Sequence, residues 1–150
     1  MCYESIEYLI HRSIFESVGN FDEHLPACED YDLWLRITAK FNVSYVSQPC
    51  IFKTGGHDDQ LSTKHSAMDR FRIYALLKLI RGGTLNQKQI EQTKSTLQKK
   101  AQIYLKGCLK YSRPTESLLT ELDEVLSNID WIRFKEKVGL NDHSAMASYP

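Results

Sequence analysis

From Asn86 to Lys110 the chain runs 25 residues without a proline, and its apolar side chains return at helical spacing. Ile90, Leu97, Ala101, Tyr104, Leu105 and Cys108 fall on one side of such a helix, with lysines and glutamines between them. An amphipathic helix of this length constrains the fold more than any other feature, because its apolar side must be covered by neighbours. Neighbours are available in the sequence. Ser66 with Asp69 three positions on is close to a capping box and predicts a helix through "AMDRFRIYALLKLIR", ending at Gly82-Gly83. Asn86 opens the long helix, which stops near Pro114. Thr115 opens a third, with Leu118, Leu119, Leu122, Val125 and Ile129 on one side. "DWIRFKEKVG" reads as a fourth, capped by Asp130 and closed by Gly139. The final eleven residues carry no apolar period and are expected to fray.

The long helix is basic (Lys88, Lys94, Lys99, Lys100, Lys106, Lys110) and the third is acidic (Glu116, Glu121, Asp123, Glu124). Packed antiparallel they would complement each other along their flanks; the other reading is a basic face for a membrane surface or a partner.

Ahead of Ser66 the texture differs. "IEYLI" reads as a short strand, and Ser13 is placed to cap a short helix "IFESV" that ends at Gly19. "GNFDEHLPAC" is a loop and "EDYDLWLRITAKF" a strong helix. "VSYVSQPCIF" alternates and contains Pro49, as an edge strand would, and "KTGGHDDQLSTKHS" is a loop. The expected class is therefore α+β and mostly helical, divided into residues 1–65, a helical region 66–138 and a flexible tail 139–150. Charge divides at the same place: residues 1–65 carry ten acids and five bases, whereas residues 66–150 carry nine acids and fourteen bases.

The net charge of zero argues against nucleic acid as a partner. Cys2, Cys28, Cys50 and Cys108 lack metal-finger spacing, and "MCYESIEYLI" has acids where a secretory leader has bases. The expectation is a cytoplasmic protein with reduced thiols. The most apolar stretch, "FRIYALLKLI", is too short and too charged to span a membrane.

The densest chemistry lies in "PACEDYDLWLRI". On a wheel of about 100° per residue, Leu33, Trp34, Ile37 and Phe41 lie within about 60° of Asp30, so Asp30 is expected to lead the buried stripe. Asp32 and Arg36 fall opposite and are expected to form a surface ion pair, with Glu29 on the flank. Asp30 is then either an N-terminal cap or an ionised general base at a cleft edge. His57 follows two glycines in "TGGHDDQLS", where backbone can approach a ligand closely, and Asp58 and Asp59 could help hold a divalent cation; ordinary loop solvation is the alternative.

Taken together, "HRSIFESVGNFDEHLPACEDYDLWLRI" and the downstream "GGHDDQLS" resemble the acceptor-side half of family 2 glycosyltransferases. The resemblance is close over about residues 9–66 and looser over "MDRFRIYALLKLI" and "LQKKAQIYLKGCLK". It implies part of a GT-A fold, with inversion at the anomeric carbon of a nucleotide-sugar donor and a glycan or lipid-linked acceptor. Asp30 would be the catalytic base and Glu29 its support. Trp34 and Arg36 match the motif at the acceptor side, and His57 would join a Mg²⁺ or Mn²⁺ site. The resemblance also implies a preceding nucleotide-binding half with a metal-holding Asp-x-Asp motif, so the expectation is a truncated or split enzyme that is not self-sufficient. That half could sit on a separate chain, and the enzyme could contact the inner face of a membrane. A non-catalytic helical interaction module is the alternative, and an unrelated metal-dependent hydrolase a weaker third.

Overall fold

The computed structural model describes residues 8–49, 67–127 and 129–138. Their helices are α1 (Arg12–Val18), α2 (Glu29–Lys40), α3 (Asp69–Arg81), α4 (Gln87–Lys110), α5 (Glu116–Leu126) and α6 (Ile129–Val138). The protein is mostly helical, as the sequence patterns require. No strand forms among the described residues. This corrects both strand expectations where they can be seen, at residues 8–10 and 43–49. Alternating side chains make a strand only when another strand supplies a ladder. Val43, Tyr45 and Val46 stay exposed instead.

Antiparallel packing of α3 on α4 builds the centre. Ile73, Leu76 and Leu77 from α3 meet Leu97, Ala101 and Leu105 from α4. Leu122, Val125 and Leu126 of α5, with Trp131 and Phe134 of α6, close the same core. Trp131 is fully buried, and its indole N–H donates to Asp123 Oδ1 at 2.9 Å, so the ring's one donor is satisfied inside. Among the described residues, no helix is long and apolar enough to cross a membrane.

The ends of the helices follow local chemistry. At α4, Asn86 Oδ1 accepts from the Gln89 N–H at 2.9 Å, and Gln89 Oε1 accepts from the Asn86 N–H at 2.9 Å, a reciprocal capping box. Gln89 Nε2 also donates to the Ala39 carbonyl at 3.0 Å, tying the start of α4 to the end of α2. Gly83, at φ +65°, lets the chain leave α3 in the left-handed region. At α1 the cap is His11, whose Nδ1 accepts from the Ser13 N–H at 3.3 Å, so the helix starts earlier than a Ser13 cap would have it. No side chain caps α3: Asp69 is its first helical residue and pairs with Arg72 at 2.9 Å, while Ser66 lies outside the described residues.

The charge pairing also differs from expectation. Arg81, at the end of α3, takes Glu121 and Glu124 of α5 at 2.8 and 3.2 Å, and Lys135 of α6 takes Asp123 at 2.7 Å. Lys100 of α4 turns to Asp69 of α3 at 3.2 Å. The acidic helix is therefore neutralised by α3 and α6, because α4 and α5 meet through apolar side chains.

Candidate functional site

The helix N-terminus that carries the acidic cluster is set by Cys28, the N-cap residue of α2, at φ +63°. Its Sγ lies 3.9 Å from the Met68 carbonyl, anchoring this turn against the start of α3. Burial pushes the Cys28 thiol up, so it stays protonated there. The next residues diverge at once into different environments.

Asp30 is exposed. Its Oδ1 accepts from the Tyr31 N–H at 2.7 Å, which leaves Oδ2 open and fixes the carboxylate at the positive end of α2. Beside it the Tyr8 ring lies on the Trp34 ring, with centroids 3.6 Å apart and planes tilted by 40°. Burial and then the charge of Asp30 push the Tyr8 hydroxyl upward, which keeps it a neutral donor. Glu29 is half-buried, and its Oε2 has neither solvent nor a hydrogen-bond donor among the described residues. Two carboxyl groups and Trp34 thus share the first turns of α2, and Tyr8 is brought to them from ahead of α1.

Asp32 behaves oppositely to its expected surface role and is 1% exposed. Its Oδ2 accepts from Arg36 Nε at 2.9 Å, and Arg36 Nη2 lies 2.8 Å away. Lys78 Nζ approaches the same carboxylate at 3.1 Å and reaches Asp22 Oδ2 at 2.7 Å. The expected Asp32–Arg36 pair forms, but inside the molecule. The wheel placed the buried stripe about Asp30; the face that is covered includes Asp32, Leu33 and Ile37, a rotation of about 80° at 100° per residue. The reason is Lys78. It projects from α3 toward α2, and burying its stem brings Asp32 inward as the compensating charge.

Arg36 is committed to structure as well. Its guanidinium donates to the carbonyls of Val18, Gly19 and Asn20, capping the C-terminal end of α1. Lys40 adds a bond to the Ser17 carbonyl at 3.0 Å. Arg36 thereby holds the α1–α2 connection and presents no unused donor edge beside Asp30. Trp34 is half-buried, with one face taken by Tyr8.

The remaining expected site residue, His57, lies outside the described residues, as do Asp58 and Asp59. Among the described residues no group of three or more His, Cys, Asp or Glu side chains could hold a metal ion. The described residues therefore do not by themselves make the metal site. Sequence reasoning missed Tyr8, Asp22 and Lys78. Tyr8 was hidden inside a strand-like pattern, and Lys78 inside a helix whose solvent side cannot be told from a flank by spacing alone.

No family model, curated protein or solved structure matches this chain.

Proposed function

We propose that this chain supplies the acceptor side of an inverting glycosyltransferase, working in the cytoplasm or at the inner face of a membrane. The observation that carries the reading is Asp30: a solvent-facing carboxylate, held by one backbone N–H at 2.7 Å, beside the Tyr8–Trp34 ring pair. Carboxylate beside aromatic surface is the chemistry that receives a sugar, since hydroxyls need acceptors and the ring C–H faces pack on aromatic rings. In the proposed step, Asp30 Oδ2 takes the proton from an acceptor hydroxyl as that oxygen attacks the anomeric carbon of the donor. The bond to the nucleoside diphosphate breaks in line, with inversion. Glu29 supports the acceptor side of the turn. Asp32 has no place in the step, because it is buried and held by Arg36 and Lys78. The donor is held by a nucleotide-binding half, on this polypeptide or another, and the resemblance assigns it a divalent metal and His57.

The test is to combine the chain with a family 2 nucleotide-binding half, by fusion or in trans. Release of nucleoside diphosphate from a panel of nucleotide-sugars is then followed. Asp30→Asn is expected to lower turnover by about 10²-fold or more, the contribution of a positioned general base. Unchanged turnover in Asp30→Asn would remove the base assignment.

A further inference from the structure

A groove of about 450 Å³ lies between the start of α3 and the end of α4, within the size range of roughly 300–1,000 Å³ that takes small ligands. Its floor and rim include Met68, Arg72, Tyr104, Cys108, Tyr111 and Arg113. Its lining carries two arginines and one acid, and further cations stand near its two tyrosines. Lys110 Nζ and Arg113 Cζ lie 5.3 and 5.8 Å from the centre of the exposed Tyr111 ring, and Arg70 is near enough to bear on the Tyr104 hydroxyl. The one acid in the lining, Asp69, is already taken by Arg72 at 2.9 Å and Lys100 at 3.2 Å. None of the ion pairs among the described residues includes Arg113.

The position of Arg113 is built by the backbone. Its N–H donates to the Cys108 carbonyl at 2.9 Å and the Ser112 N–H to Leu109 at 3.3 Å, with Ser112 at φ +49°. This is a Schellman closure, and it folds the chain back so that Arg113 returns to the rim beside Tyr111. The start of α3, which no side chain caps, adds the positive end of a helix dipole to the same groove.

We infer that this groove binds a phosphate ester whose body is a flat ring, with the phosphate on Arg113 and the ring against Tyr111 and Tyr104. A guanidinium is suited to phosphate because it offers parallel donors, and an aromatic wall holds a planar group without demanding polar partners. The groove adjoins the α2 turn through Met68, whose carbonyl meets Cys28, but its lining includes neither Glu29 nor Asp30, and it stands whether or not the chain transfers sugars.

The full chain would be titrated with phenyl phosphate, with inorganic phosphate and with phosphatidylcholine vesicles containing phosphatidic acid. Binding in solution is read from the amide signals of residues 103–113 in nitrogen-correlated NMR spectra, and vesicle binding by cosedimentation. Phenyl phosphate is expected to bind more tightly than inorganic phosphate. Arg113→Gln is expected to weaken it by about tenfold, and Tyr111→Leu to remove the preference for the ring. Lys88→Gln, at the far end of α4, should change neither. Vesicle binding lost in Arg113→Gln, with no preference for phenyl phosphate over inorganic phosphate, would make a ringless lipid phosphate the occupant and overturn the inference; vesicle binding absent while phenyl phosphate binds supports a soluble ring ester. No saturable binding of either, or binding that survives Arg113→Gln and Tyr111→Leu in folded protein, overturns the inference.

Discussion

Asp30 and Asp32 stand two positions apart on one helix, and their surroundings give them opposite work. Burying a carboxylate costs several kcal/mol unless donors replace its water. Asp32 gets those donors from two cations, one four residues along its own helix and one from α3. Removing it would strand Arg36 and Lys78 in a partly dry site. Asp32→Ala is therefore expected to lower the unfolding free energy by roughly 3 kcal/mol. Asp30→Ala should cost less than about 1 kcal/mol, the usual value of an exposed acid at a helix start. Urea denaturation of the two variants checks this, and equal losses would contradict the burial difference. Residue spacing revealed that Asp32 and Arg36 pair. It could not reveal that the pair is buried, because that depends on where Lys78 of α3 arrives.

Among the helices, starts and stops were the most readable features, since capping uses side chains within a turn of the end. Asn86 and the glycines after α3 are examples, whereas Thr115 takes the N-cap position of α5 without a side-chain hydrogen bond. The closure of α4 was not readable in the same way. Ser112 adopts φ +49°, a region in which most side chains crowd the backbone, without the glycine that usually signals it. Ser112→Gly is expected to stabilise the protein by about 0.5–1 kcal/mol, because relief of the left-handed cost outweighs the added freedom of the unfolded glycine. A rise in thermal midpoint checks it; a fall would mean that the serine makes a contribution beyond its backbone. The strand expectations failed for a related reason. Alternation is a local pattern, but a ladder needs a second strand, and none is present among the described residues.

In the assembled fold, two kinds of cohesion meet. The helices from α3 to α6 share an apolar core, whereas the α1–α2 region is joined to α3 partly through ions, with Lys78 between Asp22 and Asp32. The Lys78 hydrogen bond, helped by the His24 N–H, holds the Asp22 carboxyl well below the usual carboxylate range. Burial works against the Lys78 ammonium, but the bonds to Asp22 and Asp32 outweigh it and push it up. A depressed folded carboxyl stabilises fully above its unfolded value of about 3.9 and loses that contribution as pH falls below it. A raised lysine keeps its contribution up to about pH 10.4 and loses it only above. Stability from this cluster should thus be flat through neutral pH and decline below about pH 4. Asp22→Asn is expected to be less stable at neutral pH and to show a shallower decline between about pH 4 and pH 2. Urea unfolding at several pH values measures both, and an unchanged acid slope would show that Asp22 is not the titrating link.

Helix content, the order of the helices and most of the core were written in local periodicity. The apolar faces of α3, α4 and α5 repeat at the helical interval, and any compact arrangement must bury them together. The acidic turn was equally visible as a place where chemistry could occur. Which aspartate faces water was settled by the rotation of α2 about its own axis, fixed when Lys78 and Arg36 closed on Asp32. The pairing of Tyr8 with Trp34, and the groove beneath Arg113, likewise join residues that lie far apart in the chain or are brought together by a backbone reversal. Periodicity reports which face of a helix is apolar; the neighbour that covers it decides how far that face extends, and so which charges go inside.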